Sequence, residues 1–190
     1  MEQRMDGTLY SGVSRAAWGY FFLYFHLNVN FSGGTLGLIP SFIGFLLFYS
    51  AIGLLAEDIP ALALLRKFAL LLAVWYGAEW LLAWGNGQLN GWSQFLDLLV
   101  CLVELYFHFQ FLTNLATLAE TYQPLELDLA GRLRGIRTLQ VILHTAVMLL
   151  EFVRAWIPEL WTMVTLVSAV VYFIAGICMM HALFRLRRYL

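Results

Sequence analysis

From residue 16 to residue 186 the chain is a succession of apolar stretches, parted by short polar breaks. A helix that crosses a bilayer needs about 20 mostly apolar residues, because lipid offers no hydrogen-bond partner to an open backbone. Six stretches meet or approach that length, at about 16–30, 39–56, 64–84, 92–119, 133–156 and 159–186. The breaks between them carry turn chemistry: Ser32-Gly33-Gly34, Glu57-Asp58-Ile59-Pro60, Gly85-Asn86-Gly87, Gln123-Pro124 and Ile157-Pro158. The expected fold is therefore all-α, a polytopic integral membrane bundle of six transmembrane helices forming one domain over residues 1–190.

Composition excludes the main alternatives. Hydrophobic residues make up 62% of the 190 positions and charged residues 12%, against roughly 25% charged in an ordinary soluble domain. A soluble globule of this size leaves too much surface in water to cover such an excess. Disorder needs the opposite balance. A formal net charge of -1 removes a basic nucleic-acid binder. The polar segment 1–14 precedes an apolar run with no small-residue cleavage site, which predicts a retained first helix rather than a signal peptide. Cys101 and Cys178 sit in apolar segments without metal-type spacing and are expected to be buried free thiols.

Basic residues predict the orientation. With six crossings, Arg4, Arg15, Arg66, Lys67, Arg132, Arg134, Arg137, Arg185, Arg187 and Arg188 fall on one side, and only Arg154 on the other. The positive-inside rule then gives a multi-pass protein of the cell membrane with both termini cytoplasmic. Trp84, Trp92, Trp156 and Trp161 gather at the outer ends, as an interfacial belt would. Leu23-Tyr24-Phe25-His26 echoes Leu105-Tyr106-Phe107-His108, a faint sign of internal duplication.

The apolar segments contain ionisable residues, each costly at mid-membrane. Glu79 lies in the third stretch, Asp97 and Glu104 in the fourth, and Glu151 in the fifth. His26, His108, His144 and His181 lie in the first, fourth, fifth and sixth. Spacing sorts them into faces. Gln94, Asp97, Cys101, Glu104 and His108 recur at three and four residues, as do Arg137, Gln140, His144, Met148 and Glu151. A short link joins these two helices, so they are expected to be antiparallel neighbours with their stripes facing a shared space. Glu79, Asp97, Glu151 and His26 would form an acidic outer chamber above Glu104, His108 and His144. His181 falls near the cytoplasmic end, apart from the rest. The same groups can instead serve as hydrogen-bonded glue between helices.

Three function classes stay open. The favoured one is a small membrane transporter or binding protein for a proton, a cation or a small polar molecule, its site open to the outer face and built from Glu79, Asp97, Glu104, His108, His144, Glu151 and His26. Histidines and carboxylates in series can pass protons near neutral pH. The second is a membrane-embedded metal-dependent hydrolase, with an ion held by Glu104, His108, His144 and Glu151, although no HExxH or GxSxG motif is present. An enzyme is thus the less favoured reading. The third is a non-catalytic accessory or signalling subunit with a membrane protein partner. In size and span count the chain resembles the substrate-binding subunits of bacterial vitamin uptake systems of the energy-coupling-factor type. That resemblance is one of topology. Their alanines four apart in the first span are missing, since Ala16 is followed by Tyr20, and no residue role transfers. The partners expected are the bilayer, a small ligand or ion, and no nucleic acid.

Overall fold

The computed structural model describes residues 2–25, 28–31, 34–84, 94–124, 126–153 and 156–190, with the side chains of 2–6, 28–31, 34–37, 94 and 151–153 left outside the description. The elements are α1 (Glu2–Tyr24), a hairpin of β1 (Asn28–Phe31) and β2 (Gly34–Gly37), α2 (Ser41–Leu55), a 3-10 turn (Pro60–Leu62), α3 (Leu65–Trp84), α4 (Gln94–Tyr122), α5 (Leu129–Val153) and α6 (Pro158–Leu186). The protein is thus helical, and among the described residues four segments are long and apolar enough to cross a membrane: Pro60–Trp84, Phe95–Tyr122, Leu129–Leu150 and Pro158–Leu186. The apolar α2 has 15 residues, about 22 Å of helix against a hydrocarbon core of about 30 Å.

The first stretch departs most from expectation. Its helix begins at Glu2 rather than near residue 16 and stops at Tyr24, after which Asn28 pairs with Gly37 and Phe31 with Gly34 in an antiparallel ladder. Polarity does not break a helix. Gly7 costs only about 1 kcal/mol relative to alanine, and Leu9 and Val13 bury themselves fully, carrying the helix outward. Beyond Tyr24 the Asn- and Gly-rich sequence has poor helix propensity and pairs as strands instead.

Local signals explain the remaining ends. Pro158 occupies the first turn of α6, where a missing N–H does no harm. Gln123 Oε1 accepts the amides of Leu129 and Ala130 at 2.8 and 3.0 Å, and Asp128 Oδ1 accepts that of Gly131 at 2.8 Å, so the α4–α5 link caps α5 itself.

Each helix packs on its neighbours in sequence, and α6 returns to α1, closing a ring. Small residues set the α1–α2 crossing. A Cβ added at Gly44 would lie 2.7 Å from the Gly19 carbonyl, and one at Gly12 would lie 2.7 Å from the Leu55 side chain. Small residues are how apolar helices gain van der Waals contact where lipid removes the hydrophobic drive. On the other side of α1, Trp18 meets Phe184 and Tyr24 meets Tyr172, so α6 runs antiparallel to it. The Tyr24 ring fills the space a side chain at Gly176 would take, 2.5 Å from its ideal Cβ.

The dry core occupies one end of this ring. It joins Val13, Ala17 and Tyr20 of α1, Phe45, Phe48 and Ile52 of α2, Leu65 to Ala73 of α3, Phe107 to Ala119 of α4, Leu129 and Leu133 of α5, and Met179 to Leu186 of α6. Among the described residues of α3, burial stops at Ala73, and α4 shows none before Val100. The same end collects the basic side chains. Arg15 bonds Ser50, Arg66 stacks 4.3 Å over Tyr49, Arg134 pairs with Glu120 at 2.6 Å, and Arg187 donates to Ser14 at 3.0 Å. Trp84 at the far end of α3 and Trp156 just before α6 are 62% and 85% exposed.

Candidate functional site: a carboxylate, imidazole and phenol network

Where the dry core ends, a connected polar row begins. Glu104 lies about 15 Å along α4 from Gln94. Its Oε2 accepts a 2.5 Å hydrogen bond from the Tyr76 hydroxyl on α3. Its Oε1 lies 3.6 Å from Nε2 of His108, one turn further along α4. The other ring nitrogen of His108, Nδ1, is 3.3 Å from the Tyr20 hydroxyl on α1. With Tyr20 donating to Nδ1, the ring N–H stands on Nε2, facing the carboxylate. Four groups from three helices thus form one chain: Tyr76, Glu104, His108 and Tyr20.

Aromatic rings enclose His108 on the core side. Phe107, Tyr20, Phe48 and Phe45 have centroids 5.2, 5.5, 6.0 and 6.1 Å from the imidazole. These rings pack the core side of the imidazole with apolar surface. Phe111 stacks on Phe107 at 5.6 Å and extends the closure toward the basic end. The row is therefore shut on one side by a packed aromatic layer.

A second polar group lies across α4. Cys101, one turn before Glu104, has its Sγ 2.8 Å from Nε2 of His144 on α5. The Nδ1 of His144 is 3.4 Å from the Tyr172 hydroxyl on α6. Glu104 and His144 lie within electrostatic reach of each other. On the α3 side, Glu79 takes a hydrogen bond from Trp75 and feels both Asp97 and Glu104. Toward the basic end, Arg137 reaches Thr113 at 2.8 Å and lies over the Phe109 ring at 4.6 Å.

The α4 and α5 stripes touch through Cys101 and His144, whereas Arg137 reaches Thr113, which lies off the expected α4 stripe. Glu104 and His108 come together, His144 joins Cys101 on the next turn of α4, and Glu79 and Asp97 lie further along α3 and α4. His26 lies outside the described residues, as does the side chain of Glu151. His181 is exposed on α6, away from the row. Cys178 is exposed and Cys101 half-buried, so neither is the fully buried thiol its apolar segment suggested. Among the described residues, no three His, Cys, Asp or Glu side chains gather to hold a metal ion. There His144 turns to Cys101 and Tyr172 while Glu104 turns to Tyr76 and His108. The internal echo also fails to place its tyrosines alike. Tyr24 packs against Tyr20 and Tyr172, whereas Tyr106 is 40% exposed against Phe68.

Sequence reasoning missed the phenols. Tyr20, Tyr76 and Tyr172 supply three of the network's seven hydrogen-bonding groups, yet in a chain rich in aromatics they read as core. The usable signal was that a buried phenol needs a partner for its O–H. The chain matches no family model, no curated protein and no solved structure.

Proposed function

We propose that this chain is a small membrane transporter or membrane binding protein that takes up a proton or a cationic solute from the outer face, with Glu104 as its titratable centre. The observation that carries the reading is the position of the Tyr76–Glu104–His108–Tyr20 chain at the boundary of the dry core. One side is closed by Tyr20, Phe48, Phe107 and Phe111. The other leads past Cys101 to Glu79 and Asp97, where α3 and α4 bury little. A carboxylate held by a phenol's hydrogen bond and facing an imidazole can exchange a proton with the imidazole without leaving its place. The same acidic approach would attract a cation.

The reading includes six crossings with both termini cytoplasmic. It is supported by the gathering of Arg15, Arg66, Arg134 and Arg187 at one end of the ring and of Trp84 and Trp156 at the other. Reporter fusions at each terminus test it, with activity expected only from a reporter that works in the cytoplasm. Reconstitution into vesicles holding a pH-sensitive dye tests the site. The wild type should speed collapse of an imposed proton or cation gradient, and Glu104→Gln should remove at least nine-tenths of that rate. Equal rates in wild type and variant, or no rate above empty vesicles, would overturn the transport reading.

A further inference from the structure

A second feature lies on the exposed side of α1, away from the polar network. There a groove of about 400 Å³ is lined by Ser11, Ser14, Arg15, Trp18 and Phe22 of α1, with Leu47 of α2. Tyr10 adds to the lining at the basic end. Its chemistry is graded along the helix. Hydroxyls and a guanidinium stand at the end nearer the basic cluster, and a tryptophan, a phenylalanine and a leucine continue from there. From Ser11 to Phe22 the groove spans about 16 Å of helix. Arg187 of α6 leans over the polar end, bonding Ser14 at 3.0 Å and lying 5.4 Å over the Tyr10 ring. Among the described residues, neither Arg15 nor Arg187 pairs with a carboxylate.

We infer that this groove binds one anionic phospholipid of the cytoplasmic leaflet, a proposal that rests on the membrane reading above but not on the Glu104 site. The phosphate would lie against Arg15 and Arg187 with Ser11 as a neutral donor, and one acyl chain would follow Trp18, Phe22 and Leu47. Charge complementarity selects the headgroup: two guanidiniums at the membrane surface favour a lipid with net negative charge over a zwitterion. The apolar continuation selects a lipid over a free anion, because inorganic phosphate would leave the Trp18–Phe22 half uncovered. Length agrees as well, since 16 Å matches a headgroup with the upper part of a chain.

The test is native mass spectrometry of the full chain in detergent with equimolar phosphatidylglycerol and phosphatidylcholine. Phosphatidylglycerol adducts should dominate on the wild type. Arg15→Gln should lower them about fivefold and leave phosphatidylcholine adducts unchanged. Arg15→Lys, which keeps the charge, should retain the preference, and Arg132→Gln on α5 should leave both lipids as they were. Inorganic phosphate should not displace phosphatidylglycerol. The proposal is overturned if wild type and Arg15→Gln hold the two lipids alike, or if inorganic phosphate competes as well as the lipid. Release of the chain from membranes by alkaline carbonate would instead overturn the membrane reading, so the two failures are distinguishable.

Discussion

The Tyr76 hydroxyl reaches across from α3 to donate a 2.5 Å hydrogen bond to Glu104 on α4. It is the contact that holds the carboxylate against the aromatic layer, and it joins two helices just beyond the point where burial on α3 ends at Ala73. Tyr76→Phe keeps the ring, which stacks on Phe45 at 5.3 Å, and removes only the donor. The expected loss is about 1–2 kcal/mol of stability, read as a lower midpoint of thermal unfolding in detergent with helical content unchanged. An unaltered midpoint would mean that Glu104 does not depend on this bond.

The α1–α2 crossing predicts a larger effect. Gly44→Leu places a branched side chain where the Gly19 carbonyl is already 2.7 Å from the ideal Cβ. Backbone cannot yield as a flexible side chain can, so the helices must part. Membrane yield and unfolding midpoint should fall sharply. Gly53→Ala is the control, since its Cβ would meet Arg66 at an ordinary 3.6 Å. It should behave as the wild type or slightly better, alanine being the stronger helix former.

Gly176 gives a way to disturb the network without touching it. A methyl there meets the Tyr24 ring at 2.5 Å, and Tyr24 packs on Tyr172, the partner of His144. Gly176→Ala should therefore lower vesicle flux severalfold while circular dichroism stays native. A flux equal to wild type would separate the Tyr172–His144 arm from the activity.

Much of this arrangement was readable before any coordinates, and the reasons differ by element. Helices α3 and α6 are continuous apolar runs with turn chemistry or a first-turn proline, and their bounds fall within a residue or so of the predicted stretches. The start of α1 was hidden because Glu2 to Gly7 looks like a polar tail, whereas packing of Leu9 and Val13 decides it. The hairpin is hidden because Asn28 to Thr35 has the composition of a turn, and the packing of β2 against α3 is a long-range contact that no local pattern shows. In the site, Glu104 and His108 announced themselves by a spacing of four residues. Their partners did not. A tyrosine and a phenylalanine differ by one oxygen, and nothing local tells which phenols face inward. Cys101 stands in the α4 stripe yet reads as a buried free thiol, because only the fold brings His144 to it.

The central claim is that Glu104 gains and loses a proton within its row of partners, and infrared difference spectroscopy during a pH titration tests it most directly. The account predicts, apart from the bands of the other acids, a carboxyl band that appears as pH falls, shifts in frequency in Tyr76→Phe, and is missing in Glu104→Gln. A band of full size in Glu104→Gln, or no carboxyl band in the wild type across the titration, would contradict it.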